Sequence, residues 1–265
     1  MYLGSDDIEG TYQALKEIIN NSTDEALAGF GKRIEIDVDE KENAVMVRDY
    51  GRGVPFGIRE NGENVLVSVY TQSHTGGKFN HNAYKNSSGL NGLGASCTCL
   101  SSEKFEVQSN RDGKCACAFF EKGVLKTYKE GITKDPNGTY VRFKPDSEVF
   151  SNGEIGYSYE RICYDIKDIS YLYPGIEFIV SCGEETKTFC AKEGIVDFVK
   201  EMIQKPLQKH IITGFASDGT DSVEIAFQWG TKRETPYVFV NGLRCPELGT
   251  PVTGAKTAIT KTITS

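Results

Sequence analysis

The 265 residues include 37 acidic and 30 basic side chains, for a formal charge of -7, and 38% are hydrophobic against 25% charged. That balance excludes wholesale disorder and argues against a dedicated nucleic-acid-binding module, which ordinarily presents a basic surface. No secretory h-region occurs, and no apolar run is long enough to span a membrane.

Taken in chain order, Asp6 to Ala28 predicts a helix, with Tyr12, Leu15, Ile18 and Ile19 on one face, Asp6 and Glu9 as a capping box and Gly29 as the stop. Its interior holds Asn20, Asn21, Ser22, Thr23 and Asp24, side chains that compete for backbone hydrogen bonds and lower helix propensity, so the cluster calls for a reason. Alternating Ile34, Ile36 and Val38, then Val45 and Val47, read as an antiparallel hairpin that ends at Asp49, just ahead of the breaker segment GRGVP. A short helix is expected over 61–70. The polar stretch from Thr71 to Gly94 is too long for an idle connection and reads as a lid.

Strands are expected at 105–109, 114–120, 124–128 and 138–143, then a helix over 157–170, strands at 177–180 and 186–190, and a helix over 194–203. Beyond Lys205-Pro206 the pattern changes to strands at 223–229 and 236–241 and the start of a helix from Thr250, which predicts a domain boundary near residue 205. Eight cysteines could form disulfides, yet the length makes such staples unnecessary, and free thiols in a reducing cytoplasm are the preferred reading. Cys97-Thr98-Cys99 and Cys115-Ala116-Cys117 have one intervening residue where zinc sites usually have two, which favours buried structural thiols over metal.

Three groups could carry chemistry. Glu17 and Asn21 lie four apart and so rise on one helix face, with Asp24 near the same stripe; a carboxylate beside a carboxamide can hold a water and a hydrated divalent cation, or both can simply be solvated. Asp49 at a strand end could accept from a purine amino group, or cap a turn. The glycine-rich run Ser87 to Ser96, leading into a helix, offers backbone N–H groups of the kind that cradle polyphosphates, and it matches neither a Walker A loop nor a dinucleotide fingerprint.

The motifs MYLG at 1–4, EIINNSTDEALAG at 17–29, VRDYGRGVP at 47–55, TGGKF at 75–79, YKNSSGLNGLGAS at 84–96, GTYVRF at 138–143, FQWG at 227–230 and NGLRCPELGT at 241–250 occur in this order from end to end. In order and spacing the chain resembles the N-terminal ATPase region of type II DNA topoisomerase B subunits, of the DNA gyrase and topoisomerase IV type, within the GHKL superfamily. Each motif is weak alone, and the set is specific. The resemblance implies an α+β fold, a two-layer sandwich of helices on a mixed, mostly antiparallel sheet (the Bergerat fold) over residues 1–204. The beginning of a second, α/β transducer domain would occupy 205–265. It also implies an ATP-binding and ATP-hydrolysing domain acting in DNA strand passage, with ATP and Mg2+ as cofactors. The implied partners are a second copy of the B-type chain, an A-type chain, and DNA through the complete enzyme, in the cytoplasm and away from membranes. A MutL-like or Hsp90-like ATPase and a non-hydrolysing regulatory module are the alternatives.

Site roles follow from the same resemblance. Glu17 would be the general base for the attacking water, and Asn21 would coordinate Mg2+, with Asp24 in the same cluster. Asp49 would accept the adenine amino group, and Thr139 would share an ordered water there. Gly53, Pro55 and Ile58 would line the base pocket, with Arg52 and Arg111 at its mouth. Lys78 and the segment Gly89, Leu90, Asn91, Gly92, Leu93 and Gly94 would hold the phosphates under a lid containing Tyr84 and Lys85. Asn20, Tyr50 and Asn91 stand where the family usually has Asp, Asp or Asn, and His, and ELGTP at 247–251 replaces a usual GGTH. The family's N-terminal arm and its γ-phosphate lysine have no counterpart in these residues, so the expectation is that they bind ATP, hydrolyse it slowly and remain largely monomeric.

Overall fold

A computed structural model describes residues 3–72, 92–203, 205–231, 236–240, 242–245 and 249–264. The chain divides into two compact units, one of residues 1–170 and 175–190, the other of 171–174 and 191–265.

In the first unit, the helical spacing of Tyr12, Leu15, Ile18 and Ile19 forms α1 (Ile8–Leu27) and buries all four. Its N-cap is Asp7 rather than Asp6: the Asp7 carboxylate accepts from Glu9 N at 2.9 Å and from Ser5 Oγ at 2.5 Å, and so satisfies an orphan amide of the first turn. The predicted hairpin is β1 (Arg33–Asp39) with β2 (Ala44–Asp49), antiparallel, with Ile36 opposite Val47 and Ile34 opposite Asp49. There follow α2 (Val65–Thr71), which starts later than the sequence pattern indicated, and α3 (Gly94–Leu100). Next come β3 (Ser102–Arg111), β4 (Lys114–Glu121), β5 (Val124–Ile132), β6 (Gly138–Pro145), α4 (Tyr159–Leu172), β7 (Glu177–Cys182) and β8 (Glu185–Phe189).

The eight strands make one sheet in the order β5-β4-β3-β6-β2-β1-β7-β8, antiparallel throughout except for the parallel pair β1 and β7. Helices α1, α2 and α3 pack on it, which gives the expected α+β sandwich of a mostly antiparallel sheet and helices. The insertion of β6 between β3 and β2 brings Gly138 and Thr139 beside the end of β2, and this topology creates the site described below.

Between the layers, Phe105, Phe120 and Phe143 are almost fully buried. Ring centroids run 5.2 Å from Tyr70 to Phe105, 6.2 Å from Phe105 to Phe143, 6.0 Å on to Tyr157 and 5.7 Å to Tyr12 on α1. Phe105, at 0% exposure, is the branch point and also touches Phe120 at 6.1 Å. Phe105→Ala would remove its area from the core and leave a cavity that three rings cannot fill, and it is expected to cost about 3–5 kcal/mol of unfolding free energy. Denaturant titration measures this.

The second unit contains α5 (Ile195–Met202), β9 (Ile212–Ser217) paired antiparallel with β10 (Ser222–Phe227), the two-residue strands β11 (Phe239–Val240) and β12 (Leu243–Arg244), and α6 (Gly249–Thr264). Helix α5 lies against β10 within this unit, so the contact division falls near residue 190, whereas the sequence reading drew it at 205. Among the described residues, the strand expected at 236–241 covers Phe239–Val240, and β9 has no counterpart in the sequence reading. All eight cysteines are free thiols. No helix among the described residues is long and apolar enough to cross a membrane.

Candidate nucleotide site

Asp49 closes β2 and is 5% exposed. One carboxylate oxygen accepts from Gly51 N at 2.9 Å and from Thr139 N at 3.1 Å; the other accepts from Ser22 Oγ on α1 at 3.3 Å. Gly138 makes this close approach possible, because its φ is +148° and a Cβ there would lie 2.1 Å from the carbonyl oxygen of Asp49. Burial raises the Asp49 carboxyl to about 6, against the three donors that favour its charge and with a further upward push from Glu25. A buried carboxylate supported from one side by backbone amides is a strong acceptor for a ligand N–H.

Ser22 gives one member of the polar cluster inside α1 a role. Its hydroxyl lies 3.4 Å from the carbonyl of Ile18 and reaches Asp49, so the lowered helix propensity provides one of the carboxylate's supports. Asp24, also on α1, is buried at 3% exposure, and Asn21 is half-buried.

Glu17 lies further back on the helix. Gln13, one turn earlier, donates from Nε2 to Glu17 Oε1 at 3.0 Å. The first residue of α3 abuts it: a Cβ on Gly94 would come within 2.0 Å of Glu17 Oε2. The end of the glycine-rich run and the Glu17 carboxylate therefore occupy one place, and only glycine allows it. Cys97 lies close enough that, after burial, the Glu17 charge pushes its thiol up, which makes it a poor nucleophile.

The GRG turn is fastened on both sides. Arg52 forms a forked pair with Glu25, Nε to Oε2 at 3.1 Å and Nη2 to Oε1 at 2.8 Å. Arg111 Nη1 donates to the Gly53 carbonyl at 2.5 Å and Ser109 Oγ to the Val54 carbonyl at 2.6 Å. Pro55 is exposed and Ile58 is 70% exposed, so the described residues do not enclose these two. Gly92 and Leu93 are half-buried ahead of Gly94, whereas Lys78, Tyr84, Lys85, Gly89, Leu90 and Asn91, with most of the expected lid, lie outside the described residues.

Thus Asp49 and Thr139 meet, Glu17 and Gly94 meet, and Arg52 joins the Asp49 turn to α1. Sequence reasoning missed Gln13, Ser22, Glu25 and Ser109. For Gln13 a signal existed, its four-residue spacing from Glu17; Glu25 and Ser109 act across folds of the chain that no local pattern reveals.

The model of the histidine kinase-, DNA gyrase B- and HSP90-like ATPase family matches residues 6–149, and the DNA gyrase B model matches 194–265. The topoisomerase 4 B protein of Enterococcus faecalis is 36% identical over 271 residues, covering 98% of this chain and 39% of that protein. The DNA gyrase B protein of Thermotoga maritima is 37% identical over 275 residues, covering 98% and 43%. The chain spans about two-fifths of the length of these relatives. The crystal structure of the 43K ATPase domain of Thermus thermophilus gyrase B in complex with an aminocoumarin superposes with a TM-score of 0.71 at 27% identity, over 85% of this chain and 59% of that one. The chain belongs to the histidine kinase-, DNA gyrase B- and HSP90-like ATPase family, in the branch formed by the N-terminal ATPase regions of type II topoisomerase B subunits.

Proposed function

We propose that the first unit binds ATP with Mg2+ and hydrolyses it, as the ATP-driven part of a type II topoisomerase that passes one DNA duplex through another. The observation that carries this reading is the Asp49 carboxylate, buried and held by Gly51, Thr139 and Ser22 with its acceptor capacity incompletely used. Asp49 accepts a hydrogen bond from the adenine 6-amino group, with Thr139 at the same edge, Gly53, Pro55 and Ile58 along the base and Arg52 and Arg111 at the mouth. Asn21 offers a neutral, hard oxygen, the donor type that suits Mg2+, an ion that keeps several waters of its own. Held there, Mg2+ would supply charge compensation to the phosphates. Glu17, fixed by Gln13, accepts the proton of the attacking water as its oxygen bonds to the γ-phosphorus and the bond to the β,γ-bridging oxygen breaks; the protein contributes position and electrostatics rather than covalency.

The DNA gyrase B match over 194–265 supports reading the second unit as the start of a transducer domain. A second copy of the B-type chain, an A-type chain and DNA are the partners in this reading, and the cytoplasm is its compartment. The test is base selectivity. Guanine has a carbonyl oxygen where adenine has the amino group, and that oxygen would face the Asp49 carboxylate lone pairs. In calorimetry a non-hydrolysable ATP analogue is expected to bind at least about tenfold more tightly than its guanine counterpart. Equal affinities would remove Asp49 from base recognition.

A further inference from the structure

We propose that Phe30 is a positioning residue for the nucleotide site, acting through Arg52; the inference rests on reading the Asp49 pocket as that site. Phe30 is a large aromatic left 40% exposed just after α1 ends. The chain there wraps tightly: Ala28 N donates to Asp24 O, Gly29 N to Ala26 O and Phe30 N to Glu25 O, each at 3.0 Å, which returns Phe30 to the side of Glu25. The Arg52 guanidinium carbon stands 4.0 Å from the centre of the Phe30 ring. Glu25 accepts two hydrogen bonds from the guanidinium, and its Oε2 also accepts from the backbone N of Arg52 at 3.3 Å.

The arrangement has a physical motive. The Arg52 side chain is 37% exposed, and at that exposure water and salt compete with a carboxylate for the guanidinium, so an ion pair alone holds orientation poorly. An aromatic face adds a contact that is directional for a planar cation and includes dispersion that salt does not screen. Glu25 fixes the edge of the guanidinium and Phe30 supports its face. Because Arg52 follows Asp49 by three residues in the same turn, a purine nucleotide seated on Asp49 meets an oriented cation at the pocket mouth rather than a rotating one.

Two measurements test this, on Phe30→Ala, Phe30→Tyr, Arg52→Ala and the Phe30→Ala/Arg52→Ala pair. Without nucleotide, the Arg52 Nε–H resonance is expected to be displaced by the ring and slow to exchange in the wild type and in Phe30→Tyr, and to move toward a free arginine position in Phe30→Ala. With a non-hydrolysable ATP analogue, Phe30→Ala is expected to raise Kd about two- to fivefold, Phe30→Tyr to restore it, and Phe30→Ala to add nothing once Arg52 is alanine. An unchanged Arg52 resonance in Phe30→Ala overturns the positioning role. So does an unchanged Kd in Phe30→Ala, or a loss that adds in full to that of Arg52→Ala. If the wild type binds no analogue, the nucleotide reading fails, and with it the ligand named here, while the resonance still decides whether Phe30 orders Arg52.

Discussion

In Asp49→Asn the ATP analogue is expected to bind ten- to a hundredfold more weakly, by about 1.5–3 kcal/mol, while the protein above pH 7 becomes at least as stable as the wild type. The amide oxygen can keep the N–H groups of Gly51 and Thr139, which leaves an NH2 group where the ligand's own amino group must approach, donor against donor. Stability moves the other way because burial raises the Asp49 pKa from an ordinary 3.8 to about 6. Below pH 4 the carboxyl is protonated in both folded and unfolded chains, and its contribution is fully present. Between about pH 4 and 6 the folded state holds a proton that the unfolded state has released, so stability falls as pH rises, by about 3 kcal/mol in all, and stays at the lower level above. Asparagine has no such titration. Denaturant unfolding from pH 4.5 to 8 should show the slope in the wild type and its loss in the variant, and wild-type analogue binding should weaken below about pH 6, where the acceptor becomes protonated. An unaltered Kd in Asp49→Asn would dismiss Asp49 as the base-recognising group.

Glu17→Gln is expected to lower the single-turnover rate of phosphate release by about a hundred- to ten-thousandfold, the usual range for a lost general base, with Kd for the analogue changed only a few fold. The amide keeps the size of the side chain, so a folding defect does not explain the loss. Gly94→Ala provides an independent approach, since its methyl would enter the space of Glu17 Oε2 and displace the carboxylate without changing its chemistry. It should show the same loss of single-turnover rate. Near-normal turnover in Glu17→Gln would take this carboxylate out of the mechanism. A wild-type chain that binds and never turns over would favour a regulatory ATP-binding module.

Much of this was legible along the chain wherever one local rule governed. The apolar stripe of α1, the alternation of β1 and β2 and the Gly29 stop all act within a few residues, and each element formed where its pattern placed it. The N-cap passed from Asp6 to Asp7 because two adjacent aspartates can each cap and only the local backbone decides between them. Strand β9 escaped notice because Ile212-Thr213-Gly214-Phe215-Ala216-Ser217 is mostly exposed and lacks regular alternation; it is a strand through its pairing with β10. At the site, helix spacing, strand-end position and the resemblance all pointed to Glu17 and Asp49, but their supports were hidden. Ser22 looked like a poor helix residue until Asp49, 27 residues away in sequence, came to lie beside it. Glu25 drew no attention because nothing near it in sequence identifies Arg52 as its partner.

The place of β6 in the sheet has a kinetic consequence. Thr139 and Asp49 are 90 residues apart, and their strands become neighbours only when β6 enters between β2 and β3, after β3, β4 and β5 have been traversed. A chain folded only as far as β5 has the aspartate without its Thr139 amide. Contacts of such long sequence separation bear the largest loop-closure entropy and form late. Competence to bind at Asp49 therefore reports completion of the whole meander, and in refolding it should lag behind the helical signal.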